Sequence, residues 1–322
     1  MEKIKFFLPG IGDDRLLNLN KSFIDKLEKY PEKFRPIEIA AVYGAPPRCA
    51  WAGGRFTYGY FSGEAIRNEV AFYNSHEIPI RYTFTSSLVK DIHLYDQFCN
   101  LLMSIANNGM NEVLVNNDIL EKYIRENYPG YKVCLSTTKR ITEKEQYDQY
   151  KGKYDYIVLD YTFNHKPDIW ELEDKEHIEI LIMTYCKDEC PNRMKHQYVA
   201  NISDLEILSP KQHYDMYTCP YFQSKEKHAW TFYDHMAEHK HIIHVDDLYG
   251  KYVDAGYRNF KLEGRGNNIF DVLESYMHYM VLPEYRNEIR LEIAKDITGL
   301  NIKSTAGTVY KKEDYENGQS EA

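Results

Sequence analysis

Six cysteines carry the strongest chemical signal in this chain, and they are of two kinds. Cys186 and Cys190 are spaced C-x3-C after an apolar run. Cys219 precedes Pro220, and Cys49 closes the stretch Tyr43-Gly44-Ala45-Pro46-Pro47-Arg48-Cys49. Four soft thiolates gathered on one face would suit a tetrahedral zinc or an iron–sulfur cluster. The spacing is less diagnostic than a doubled C-x2-C, and unrelated free thiols are the competing reading. Cys99, in the helical pattern Tyr95–Leu102, and Cys134, inside Lys132–Leu135, read as small buried hydrophobes. The histidines His228, His235, His239, His241 and His244 form a second cluster. His235 and His239 are one helical turn apart and could share a metal, but no H-E-x-x-H pattern completes the set. A solvated polar face is the expectation there.

These residues must be positioned by an alternation of short β-rich runs and helical patterns. The strand candidates are Ile4–Leu8, Ile37–Tyr43, Ile78–Phe84, Glu112–Asn116, Lys132–Thr137, Tyr156–Asp160, His177–Thr184 and Asn259–Gly264. Helical patterns fall at Arg15–Tyr30, Gly63–Ser75, Val89–Asn107, Asp118–Asn127 and Glu143–Lys151, and later at Val245–Ala255, Ile269–Met280 and Glu284–Ile297. Strands joined by crossovers of about a dozen residues or more must pair in parallel. Such a series predicts a (β/α)8 TIM-type barrel, an α/β fold, over residues 1–302. An insertion follows the seventh strand, over about residues 186–244, and a flexible tail occupies 303–322. A doubly wound open sheet is the alternative; it is disfavoured because no glycine-rich dinucleotide fingerprint follows the first strand.

Period-2 alternation assigns the strand faces. Ile37 and Ile39, Ile80, Tyr82 and Phe84, the isoleucines 178, 180 and 182, and Phe260 and Leu262 must meet the helices. Glu38, Arg81, Glu179, Lys261 and Glu263 then point into the barrel, where burial demands that charges pair. An internal ion-pair network is the expectation for Glu38 and Glu179. Glu263 ends its strand just before Gly264 and Arg265, at the end where barrel enzymes carry catalytic groups. Asp160, Asn116, Thr137 and Thr184 also end their strands.

With 40 Lys and Arg against 49 Asp and Glu, the formal charge is −9, which argues against broad nucleic-acid binding. The 29 tyrosines imply many positions with a buried ring and a polar tip. No apolar run reaches the roughly 20 residues of a membrane span. The N-terminal run reads as a strand and not as a cleavable signal, so a cytoplasmic location is expected.

The stretch Val245-Asp246-Asp247-Leu248, then Gly256, then Phe260-Lys261-Leu262-Glu263-Gly264-Arg265 resembles the collagenase-like peptidase family U-thirty-two. The run from Glu179 through Cys186 to Cys190 and Arg193 is similar in kind, as is Tyr43-Gly44 through Cys49 to Arg55. The resemblance implies a (β/α)8 barrel bearing a four-cysteine 4Fe-4S cluster, here Cys49, Cys186, Cys190 and Cys219. It further implies oxygen-independent hydroxylation or a related redox modification of a small-molecule or macromolecule-bound substrate, with a heteromeric partner in some relatives. On that reading Glu263 and Asp160 act as general acid or base, and Lys261 keeps Glu263 ionised. Arg55, Arg81 or Arg265 clamps an anionic substrate, with Glu179 beside them. A zinc-dependent hydrolase or peptidase, and a non-catalytic barrel with a structural metal, are the alternatives.

Overall fold

The computed structural model describes residues 3–220 and 232–299. Eight parallel strands close into a barrel in chain order. They are β1 (Ile4–Ile11), β2 (Ile37–Gly44), β3 (Ile80–Phe84), β4 (Glu112–Val115), β5 (Lys132–Leu135), β6 (Tyr156–Val158), β7 (Ile178–Leu181) and β8 (Asn259–Lys261). β8 closes the ring against β1, pairing Lys5 with Asn259 and Phe7 with Lys261. The helices between strands are α1 (Asp14–Lys29), α2 (Gly63–Ser75), α3 (Gln97–Ile105), α4 (Asp118–Asn127) and α5 (Lys144–Tyr150). The insertion after β7 is helical, with α6 (Arg193–Leu205), α7 (Pro210–Met216) and α8 (Phe232–Glu238). After β8 come α9 (Ile269–Met280) and α10 (Arg286–Thr298). His228 and the tail 303–322 lie outside the described residues. No described helix is long and apolar enough to cross a membrane.

Side-chain caps explain most helix starts. Asp13, Ser62, Asn117 and Asn268 each accept a first-turn backbone N–H, so α1, α2, α4 and α9 begin where their caps sit. The helix read over Val89–Asn107 is two pieces. A 3-10 turn runs over Asp91–Tyr95, and Asp96 then caps α3 through the Cys99 N–H at 2.7 Å. The one read over Val245–Ala255 starts as helix at Val245–Asp247 and widens to a π-helical stretch at Leu248–Tyr252.

The apolar faces pack outward onto the helices as their alternation requires. Many tyrosines fill this layer with their hydroxyls satisfied. Asn20 is a buried hub that donates to Pro9 O and the Tyr73 hydroxyl and accepts from Tyr276. Inside the barrel lie small apolar groups, Phe7, Ala41 and Tyr43 on one side and Leu114, Cys134 and Val158 on the other. Between them sits a charged layer. Arg81 donates to Glu112 at 2.5 Å and to Glu179, and Lys261 reaches Glu179 at 3.2 Å. Glu112, at the first position of β4, belongs to this network. Glu38 does not; it is half-buried and lines an 850 Å³ hollow at the N-terminal end of the barrel with Lys5 and Lys132. A register shift between Phe6 and Phe7 pairs Phe6 with Ile39 but Phe7 with Ala41. That bulge reverses the phase of β2 and brings Tyr43 to the inside.

Candidate site at the C-terminal mouth of the barrel

β8 delivers the first groups. Lys261 ends the strand with its ammonium between the Glu179 carboxylate below and the Tyr43 ring, 3.9 Å from the ring centroid. Burial pulls this lysine down to about 8, with Glu179 opposing the shift. The same burial works against ionisation of Glu179, but Arg81 and then Lys261 outweigh it and hold that carboxyl below its ordinary value. Arg81 and Glu179 have no solvent access. They form the floor of the site and lie out of a substrate's reach, contrary to the substrate-binding role expected of them.

The next residues leave the strand. Glu263 pairs with Arg55 and accepts the Tyr185 N–H at 3.0 Å. Gly264 permits the turn, since a Cβ there would meet Pro9 Cγ at 2.5 Å. Arg265 then turns back over the barrel and donates to Thr83 Oγ1 at 2.8 Å. Burial, reinforced by the nearby Arg55 charge, holds its guanidinium below the ordinary value. Among the described residues no carboxylate pairs with it. Arg55 arrives on the loop after β2. α6 anchors this loop: Gly54 N–H donates to Asn201 Oδ1 at 3.1 Å and Thr57 N–H to Asp204 Oδ1 at 3.4 Å. Gly53 lets the loop approach so closely, because a Cβ would stand 2.7 Å from Asn201 Oδ1 and from Thr85 backbone carbon.

Arg55, Lys261, Glu263 and Arg265 line one cavity of about 120 Å³ together with Cys186 and Arg193. Asp160 is not among its lining groups. It is fully buried, gripped by Arg193 through two hydrogen bonds of 3.0 and 2.6 Å, and accepts from Thr162 N–H and Oγ1. Burial alone would raise its pKa, but Arg193 and Thr162 outweigh it and the carboxyl lies below its usual value. Asp160 therefore positions Arg193 and is not free to exchange protons with a ligand.

The cysteines divide differently from the sequence expectation. Cys186, Cys190 and Cys219 are each half-buried, and the other two lie close enough to act electrostatically on the Cys186 thiol. All three act on the Tyr217 hydroxyl. Burial pushes the Cys186 thiol up while Arg55 and Arg193 oppose that shift. Cys49 is not with them. Its sulfur sits 3.3 Å from that of Cys99 in the layer between strands and helices. The chain turns back after Cys49, with Ala52 N–H on Cys49 O. Trp51 is locked against Phe84 and Tyr123, so the preceding sulfur is drawn outward. The four-cysteine set thus does not fit a cluster in this fold. The remaining three fit a thiolate-bound centre by donor type and by the two arginines beside them. Among the described residues, however, no three His, Cys, Asp or Glu side chains stand at the spacing of ligands to one ion.

His235 and His239 pack against different neighbours. His235 sets its ring edge-on to Tyr185, and His239 packs on Tyr161 with Asp188 near its Nε2 at 3.9 Å. Both are buried, where a solvated face was expected.

No family model and no curated protein matches the chain. A solved structure described as the U32 peptidase Mk0906 is similar over 83% of this chain and 94% of that one, at 11% identity and a TM-score of 0.49. At this level of likeness neither a family nor a chemistry transfers to this chain.

Two groups that complete the mouth were not singled out from the sequence. Tyr43 was hidden by the bulge. Thr83 alternates with Tyr82 and Phe84 on β3, but nothing local marks it as the partner of Arg265.

Proposed function

We propose that this barrel is an enzyme that binds an anionic substrate at its C-terminal mouth, beside a redox centre held by Cys186, Cys190 and Cys219. The observation that supports this reading most is the convergence of Arg265, half-buried and with no carboxylate bonded to it among the described residues, with Lys261, Glu263 and Cys186 in a single cavity. A half-buried guanidinium with no carboxylate hydrogen-bonded to it is free to receive an anion, and its fork geometry suits a carboxylate or phosphate. Lys261, held at about 8, can keep or release a proton at Nζ near neutral pH. Arg55 fixes the Glu263 carboxylate at the rim. An iron–sulfur cluster at the three thiols would supply electron transfer, of the kind an oxygen-independent hydroxylation needs.

Anaerobic reconstitution with iron and sulfide, followed by assay of both, tests the centre. Wild type and Cys49→Ser are expected to take up iron and acid-labile sulfide alike, and the Cys186→Ser, Cys190→Ser and Cys219→Ser variants are expected to lose them. Loss in Cys49→Ser, or no uptake by wild type, would overturn the assignment. Zinc without labile sulfide would replace the redox reading with a hydrolytic one.

A further inference from the structure

The Lys261 side chain is 6% exposed and lines the mouth cavity, so its amine is withdrawn from bulk water but within reach of a small ligand. Charged and titratable groups face it from several elements. Glu179 on β7 accepts its hydrogen bond at 3.2 Å, and Arg81 on β3 donates to the same carboxylate. Tyr43 on β2 sets its ring centroid 3.9 Å from Nζ, and Arg265, after β8, lies 5.8 Å from the same centroid. Burial lowers the amine to about 8; Glu179 opposes the shift, and Arg81 and Arg265 add to it. Part of the population therefore carries a free amine near neutral pH. Glu179 keeps Arg81 when that proton leaves, so its loss strands no carboxylate. A desolvated lysine beside other cations is the arrangement that activates an amine toward a carbonyl carbon. The cavity, about 120 Å³, is smaller than the roughly 300–1,000 Å³ of drug-sized sites, so it suits a ligand of few heavy atoms.

We propose that Lys261 is a nucleophile that forms a Schiff base with a small 2-oxo acid, whose carboxylate Arg265 receives. The neutral Nζ adds to the carbonyl carbon, forming a C–N bond as the C=O π pair moves to oxygen. Both amine hydrogens then leave with that oxygen as water, giving an imine, and a proton from solvent converts it to the iminium. No oxidant or reductant enters the step. It rests on the anion-binding reading of the mouth and needs no metal centre.

Incubation of the full chain with pyruvate and sodium cyanoborohydride tests it, because hydride delivered to the iminium carbon fixes the adduct as carboxyethyl-lysine. Peptide mapping by mass spectrometry is expected to find Lys261 labelled at least about tenfold faster at neutral pH than exposed lysines such as Lys122 and Lys211, since a lower pKa leaves more free amine. The Lys261 rate is expected to rise as pH passes through about 8. Lys261→Arg, which keeps a charge against Glu179, is expected to lose the fast phase on intact mass with an unchanged thermal transition. Acetone on wild type, and pyruvate on Arg265→Gln, are each expected to reduce the preference for Lys261 over the exposed lysines about tenfold, the loss of the charge-assisted carboxylate contact. Lys261 labelled no faster than the exposed lysines would overturn the proposal, and an undiminished preference in Arg265→Gln would overturn the carboxylate's place in it. In the first case, saturable binding of lactate, measured by calorimetry, would leave the anion site standing without the Schiff base, and its absence would remove both.

Discussion

Arg81 is the residue on which the inside of the barrel turns. It neutralises Glu112 and Glu179 while its guanidinium stacks over Phe7, 4.1 Å from the ring centroid. Replacing it with methionine keeps bulk but leaves two buried carboxylates with Lys261 alone to pair them. The unfolding free energy of Arg81→Met, measured in urea, is expected to fall by about 3–5 kcal/mol, the usual cost of breaking a buried pair from one side. A loss below about 1 kcal/mol, in the range of exposed pairs, would contradict the pairing described. Arg265 is the counter-example. It is only half-buried and carries no paired carboxylate, which is why it is assigned to a ligand and Arg81 to the scaffold.

At the scale of elements, the Asp160–Arg193 pair ties the end of β6 to the first turn of α6 and so sets where the insertion begins. Asp160 has a depressed pKa in the fold, so its stabilising contribution is present above the ordinary aspartate value of about 3.9 and fades as pH falls through the lower folded value. Arg193→Ala is expected to destabilise the chain by about 1.5–3 kcal/mol at neutral pH. Acid titration of both proteins should show this gap shrinking below about pH 4; a gap independent of pH would refute the linkage. The elements also show what local sequence carries. The apolar alternation of Ile80, Tyr82 and Phe84, and of Phe260 and Leu262, was enough to orient β3 and β8, because period 2 holds wherever a strand is unbroken. β2 defeated the same logic, since its bulge depends on the pairing with β1 and leaves no local mark. Cys49 was misplaced for a similar reason. The strand before it ends at the mouth, but the turn to Trp51 is fixed by Phe84 and Tyr123 from distant elements. Lys261, Glu263 and Arg265 were legible because strand direction alone puts them at the C-terminal end.

At the scale of the whole molecule, the parallel barrel sends the loops after β2, β7 and β8 to one end, so residues separated by more than 200 positions line one cavity. The floor is charged and closed, the rim is cationic, and three thiols stand beside it. This division explains how an acidic chain can present an anion-binding mouth: its excess negative charge need not reside there. The most direct measurement of the central claim is an anomalous difference map at the iron edge, from crystals of reconstituted protein grown without oxygen. The account predicts one strong peak bonded to the sulfurs of Cys186, Cys190 and Cys219 next to the Arg55 and Arg193 side chains, with Cys49 still against Cys99. A peak bonded to Cys49, or bound iron located away from these three sulfurs, would contradict it.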